Sequence, residues 1–121
     1  MQTRDQRYAR RAYEQMTALP EGDRARYGAL ALKLPVLIRT AGLAQAVAFV
    51  EARGKREGEL LLEHLAQTLG FSGRSHLGAT VREAPVMVYL SLTRRTLAAL
   101  VWYKRFAQSL FKVSGTEETD G

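Results

Sequence analysis

Cysteine is absent from the 121 residues, which excludes disulfides and thiolate metal sites. Asparagine is also missing, and isoleucine occurs once, at Ile38. Strand-favouring residues are scarce beside many Ala and Leu, so the balance favours helix. No apolar run is long enough to span a bilayer, and no charged-then-apolar secretion signal opens the chain. A cytoplasmic protein without membrane contact is expected. A hot habitat and a GC-rich genome would each account for the missing Asn and Cys. Acids are missing locally as well: from Ala84 to Gly115 there are five basic residues and no Asp or Glu.

What is present suits one small domain. Apolar residues make up 46%, enough for a core. The formal charge is +6, and the final residues Glu117, Glu118 and Asp120 dilute it; without them 18 basic residues face 9 acidic ones. With a pI near 10.1, such a surface attracts nucleic acid, an acidic protein or an anionic membrane, and composition does not choose among them.

The periodicity predicts an all-α fold, a compact single-domain helical bundle of about five to six helices with a long C-terminal helix. Residues 1–113 form the domain and 114–121 a disordered acidic tail. The first helix runs from Arg4 to Ala18, with Thr3 and Gln6 as a capping box and Tyr8, Ala12, Met16 and Leu19 as its core stripe. Asp23 is expected to cap a second helix ending near Leu34, where Pro35 breaks the chain. Residues 35–40 follow as a short helical turn. Gly42 to Ala52 is apolar all round and reads as the central buried helix, stopped by Gly54. Lys55 to Gly58 reads as a charged connection, Glu59 to Leu69 as a helix, Phe71 to Gly78 as a mobile loop, and Ala79 to Glu83 as a short helix. Pro85 to Val113 lacks internal Gly and Pro and reads as one long helix.

No set of residues suited to catalysis stands out. His64 and His76 do not form an i, i+4 metal pair, and Glu63-His64 lacks the second His of a zinc-protease motif. Gly70-Phe71-Ser72-Gly73 lacks the spacing and preceding strand of a nucleophile elbow. Neither enzyme, metal nor cofactor is expected.

The last helix is more informative. On a wheel at ~100° per residue, Val86, Tyr89, Leu90, Thr93, Leu97, Leu100, Val101, Ala107 and Phe111 share one side. A second apolar strip holds Val88, Leu92, Ala99, Tyr103, Phe106 and Leu110. Together they are wider than one neighbouring helix needs, so the helix is either central or meets a partner chain, with Trp102, Tyr103, Phe106 and Leu110 as the candidate interface. The remaining side carries Arg94, Arg105 and Lys112, with Arg95 and Lys104 beside them. Arg94 and Lys112 lie ~27 Å apart along an ideal axis. A row of cations is ordinarily a solvated face. Here no acid on the helix can neutralise it by i, i+4 pairing, and that favours a phosphate-binding role. Arg4, Arg7 and Arg11 form a second candidate stripe, and Lys33 and Arg39 bracket Pro35.

Two segments resemble a known family. Lys33-Leu34-Pro35-Val36-Leu37-Ile38, followed by Gly42-Leu43-Ala44-Gln45-Ala46-Val47-Ala48-Phe49, is similar to a stretch of the small all-helical subunit of the type III-B CRISPR effector, the Cmr complex. Thr93-Arg94-Arg95-Thr96-Leu97 through Trp102-Tyr103-Lys104-Arg105-Phe106-Ala107 resembles that family's C-terminal helix. The resemblance spans most of residues 1–113. It implies a non-catalytic subunit of an antiviral ribonucleoprotein that stacks along the backbone filament. Its partners would be the backbone and large subunits, neighbouring copies of itself, guide RNA and target RNA. Two alternatives stay open: a pure protein adaptor, and a small helical DNA-binding regulator.

Overall fold

Thr3 starts the first helix as its spacing to Gln6 predicts. The Thr3 hydroxyl accepts from the Gln6 amide at 3.1 Å, and the Gln6 side chain accepts from the Thr3 amide at 2.8 Å. Two orphan donors of the first turn are thereby satisfied. The computed structural model describes residues 1–114. Their regular structure is six helices and no strand: α1 Arg4–Thr17, α2 Glu21–Ala41, α3 Leu43–Arg53, α4 Arg56–Leu69, α5 Arg74–Glu83 and α6 Val86–Leu110. The chain is all-α with a long last helix, as expected. Apart from exposed Ser114, the expected disordered tail lies outside the described residues.

The hub is α4, which packs against each of the other five helices and buries Leu61, Leu62, Leu65, Ala66 and Leu69. The segment expected at the centre, now α3, lies at the side against α2, α4 and α5. Only Leu43, Ala46, Val47 and Val50 of α3 are buried. Its apparent all-round hydrophobicity comes from alanines such as Ala48 and Ala52, which a helix carries in water at little cost.

Five boundaries differ from expectation, each for a tertiary reason. Pro35 does not end α2, which continues to Ala41 because Leu34, Pro35 and Ile38 are all buried. That burial outweighs the missing N–H. Asp23 is not a cap but sits in the first turn, where it receives Arg56 Nε at 2.9 Å and Nη2 at 3.1 Å. This fork holds the Asp23 carboxyl below its usual value. Residues 56–58, expected in a connection, form the first turn of α4. Gly58 is buried there, and a Cβ would come within 2.7 Å of Val50 Cγ1.

The expected mobile loop shrinks to residues 70–73, and α5 begins at Arg74. Its cap comes from another helix, since Glu63 Oε1 accepts from the Arg74 amide at 2.9 Å. At the far end, α6 stops at Leu110. Lys112 takes the left-handed conformation at φ 60°. Val113 then turns back, its amide donating to the Ala107 carbonyl at 3.2 Å, and packs over Gly28.

A buried polar knot registers four helices. The Tyr103 hydroxyl of α6 donates to Gln15 Oε1 of α1 and lies 2.7 Å from Thr68 Oγ1 of α4. Gln15 Nε2 donates to the His64 carbonyl at 3.2 Å, and His64 Nδ1 lies 2.7 Å from the Tyr27 hydroxyl of α2. Among the described residues no buried side-chain polar atom lacks a partner. Burial raises the Tyr103 phenol well above its ordinary value, against smaller pulls from Thr68, the Arg11 charge and Gln15.

Burial likewise lowers the His64 imidazole below its ordinary 6.5, with Glu63 opposing more weakly. The unfolded chain therefore binds the proton more readily. Stability is present above the ordinary value and is lost as pH falls towards the lowered one. Urea midpoints are expected to drop more between pH 7 and 5 for the wild type than for His64→Gln; parallel profiles would exclude this role. Gly28→Ala would place a Cβ 2.7 Å from Val113 Cγ2. It should cost ~1–3 kcal/mol by overpacking, and Gly28→Ala/Val113→Ala should recover part of that in thermal unfolding.

Candidate nucleic-acid interface

With Gln15 fixed against α4, the N-terminal half of α1 lies beside the last turn of that helix. Arg4, Arg7, Arg10 and Arg11 then line a cleft of about 400 Å³ with Thr68, Leu69 and Gly70. From the opposite side α6 supplies Arg95. Its Nη2 donates to the Leu69 carbonyl at 2.8 Å, a terminal acceptor of α4 where a cation suits the negative end of the helix dipole. That bond takes one donor of a guanidinium that carries five. Five arginines from two helices thus line one cleft, and no carboxylate is among its lining residues.

Local partners neutralise little of this charge. Arg4 meets Asp5 only at 3.6 Å, with both side chains exposed, a pair worth little in water. Arg7 donates to the Gln2 carbonyl at 3.3 Å, and the Arg4 guanidinium lies 5.6 Å from the Tyr8 ring centroid. The other ion pairs among the described residues engage Arg56, Arg74 and Arg82 of α4 and α5. Guanidinium forks match phosphate oxygens in pairs, which makes the cleft a candidate site for a polyanion.

The stripe on α6 is shorter than the wheel predicts. Arg94 and Arg105 are exposed on it, within ~20° of one another and ~16 Å apart along an ideal helix. Arg105 stacks over Trp102 at 5.4 Å. Lys104 is exposed off to one side. Lys112 is exposed but lies past the helix end, so it does not extend the row. Among the described residues, Arg94, Lys104 and Lys112 form no ion pair.

Arg95, expected as a flank of that row, turns instead to the α1 stripe, bringing the two predicted groups together. Lys33 lies apart, in a groove between α2 and α3. Arg39 is exposed near the end of α2, in neither depression. Arg10, three residues after Arg7, is not part of the expected stripe, yet its side chain lines the cleft. Four arginines within eight residues were the available signal.

The expected partner surface needs one correction. Tyr103 is fully buried and belongs to the polar knot, because its azimuth faces α1 and α4. Trp102 and Phe106 are half-buried in an aromatic ladder that continues from Phe106 to Tyr13 of α1 at 5.5 Å between centroids. Leu110 is at the edge of exposure. A more open apolar surface lies at the start of α6, where Val86, Met87, Val88 and Leu90 are exposed.

Crowded guanidinium groups repel, so an anion that bridges them should stabilise the fold. Pyrophosphate is expected to raise the melting temperature above that in chloride of equal ionic strength. Arg7→Gln/Arg10→Gln should lose at least half of the gain, and an equal rise in both proteins would exclude the cleft.

The family model described as "CRISPR-associated protein (Cas_Cmr5)" matches residues 4–110. A relative from Thermus thermophilus, the "CRISPR system Cmr subunit Cmr5", is 49% identical over 113 residues, covering 93% of this chain and 99% of the relative. The crystal structure of a CRISPR-associated Cmr5 family protein from Thermus thermophilus superposes with a TM-score of 0.81 at 46% identity. That match covers 91% of this chain and 98% of the other.

Proposed function

The chain belongs to the Cmr5 family of CRISPR-associated proteins, and from that premise we propose that it is a non-catalytic, RNA-contacting subunit of a type III-B Cmr effector complex. The observation that carries the RNA contact is the cleft lined by Arg4, Arg7, Arg10, Arg11 and Arg95 without a carboxylate. The exposed Arg94 and Arg105 of α6 add a second point of grip.

The mechanism is electrostatic. Guanidinium groups hold phosphates of the guide RNA–target RNA duplex and release counterions. Bases are read by pairing, and the protein contacts an A-form backbone without sequence preference. A single copy binds weakly, whereas copies aligned along the backbone filament bind well through effective concentration. The exposed Val86, Met87, Val88 and Leu90 support docking to neighbouring Cmr subunits. The proposed site of action is the cytoplasm, in antiviral defence. Among the described residues no helix is long and apolar enough to cross a membrane.

Arg7→Glu/Arg10→Glu in the cleft, and separately Arg94→Glu/Arg105→Glu on α6, should weaken RNA retention by the assembled complex equally for unrelated target sequences. Each lost phosphate contact should reduce the slope of log affinity against log salt by ~0.7–0.9. Slopes equal to the wild type for both pairs would favour a protein adaptor, whose basic cleft docks an acidic subunit surface.

A further inference from the structure

Phe49 is 44% exposed on α3, although that helix has a buried face available. It lies in a groove on a different surface from the arginine cleft. Arg26, Leu30 and Lys33 of α2 form one wall, and Phe49, Val50 and Arg53 of α3 the other. The α2 wall follows i, i+4, i+7 spacing, and on α3 Phe49 and Arg53 are an i, i+4 pair. The first residues of α4 and its cap, with Lys55 and Glu57, close one end. The missing side chain of Gly58 lets α4 approach Val50 and shape that end. The groove's volume is about 270 Å³.

The chemistry divides into three parts. Leu30 and Val50 give an apolar floor beside the accessible Phe49 ring, over which Arg53 sits at 5.6 Å. Arg26, Lys33, Arg53 and Lys55 surround it, and among the described residues none of them forms an ion pair. Glu57 is the one carboxylate, and an ionised carboxylate only accepts hydrogen bonds.

We infer that this groove takes one unpaired ribonucleotide of an RNA strand, with its base on Phe49, its phosphates on the surrounding cations and its ribose 2′-hydroxyl on Glu57. An aromatic ring among cations is the arrangement that holds single-stranded nucleic acid, because every base offers a π face. The volume is on the scale of a single nucleotide. Inside a strand the one free ribose hydroxyl is the 2′-OH, which can donate to Glu57 and which DNA lacks. An acidic peptide would satisfy the cations but leave the Phe49 ring without a stacking partner. The inference rests on the proposed RNA contact and assigns it a second, strand-specific site.

The test uses the full chain at low salt and the fluorescence anisotropy of a labelled oligouridine RNA, its DNA counterpart and an RNA duplex. Phe49→Leu, which keeps an apolar side chain but removes the stacking face, should weaken single-stranded RNA binding at least ~fivefold. Duplex binding should stay unchanged. Glu57→Gln should narrow the preference for RNA over DNA. Arg7→Glu/Arg10→Glu should weaken duplex binding instead. If Phe49→Leu and Arg53→Glu bind single-stranded RNA like the wild type while the cleft variant loses duplex, the groove assignment falls and the RNA reading stands. A wild type that binds the duplex but no single-stranded RNA would likewise overturn the groove alone.

Discussion

A phenol carried into a helical core must find a partner for its hydroxyl, and the position of that partner dictates how the helices lie. Tyr103 is such a phenol, and it meets Gln15 and Thr68. Gln15 in turn reaches the His64 carbonyl. These bonds fix the rotation and height of α1 against α4 and α6 where apolar stripes alone would permit sliding. The arginines of α1 project from the turns beside Gln15, so the same bonds place them next to Leu69 and Arg95. The polar interior and the basic exterior are two sides of one helix register.

The charges are sorted as well as placed. The close Asp23–Arg56 fork and the longer pairs at Arg74 and Arg82 lie on α2 to α5 and join helices to one another. The acid-free α6 and the arginine-rich α1 keep their cations available. A protein that needed its surface cations only for solubility would gain from mixing the signs. Keeping them apart raises the potential over one face, which suits a polyanion. Membership of the Cmr5 family and this separation of charge are independent observations, and both support the proposed RNA contact.

Much of the fold is legible in the sequence because it is local. The stripe of Tyr8, Ala12, Met16 and Leu19 is buried as its spacing demands, and the capping box forms within four residues. The differences arise where distant residues decide. Glu63 starts α5 from another helix, Asp23 takes a partner on α4, and burial carries α2 through Pro35. The site was legible only in fragments. The α1 and α6 cations are visible as separate stripes, but nothing local tells Arg95 to join α1 and not Arg94. Tyr103 looks like an interface residue until its hydroxyl partners are known. The groove at Phe49 was missed, although the spacing of Arg26, Leu30 and Lys33 on α2 carried a signal for it.

The central claim is that phosphates sit against the arginines of α1 and α6. Photo-cross-linking of thio-substituted target RNA in the assembled complex, followed by peptide mapping, examines this contact directly. The account predicts adducts within residues 4–11 and 94–105. Adducts confined to other faces of the chain, or RNA that cross-links to every neighbouring subunit but not to this one, would contradict it.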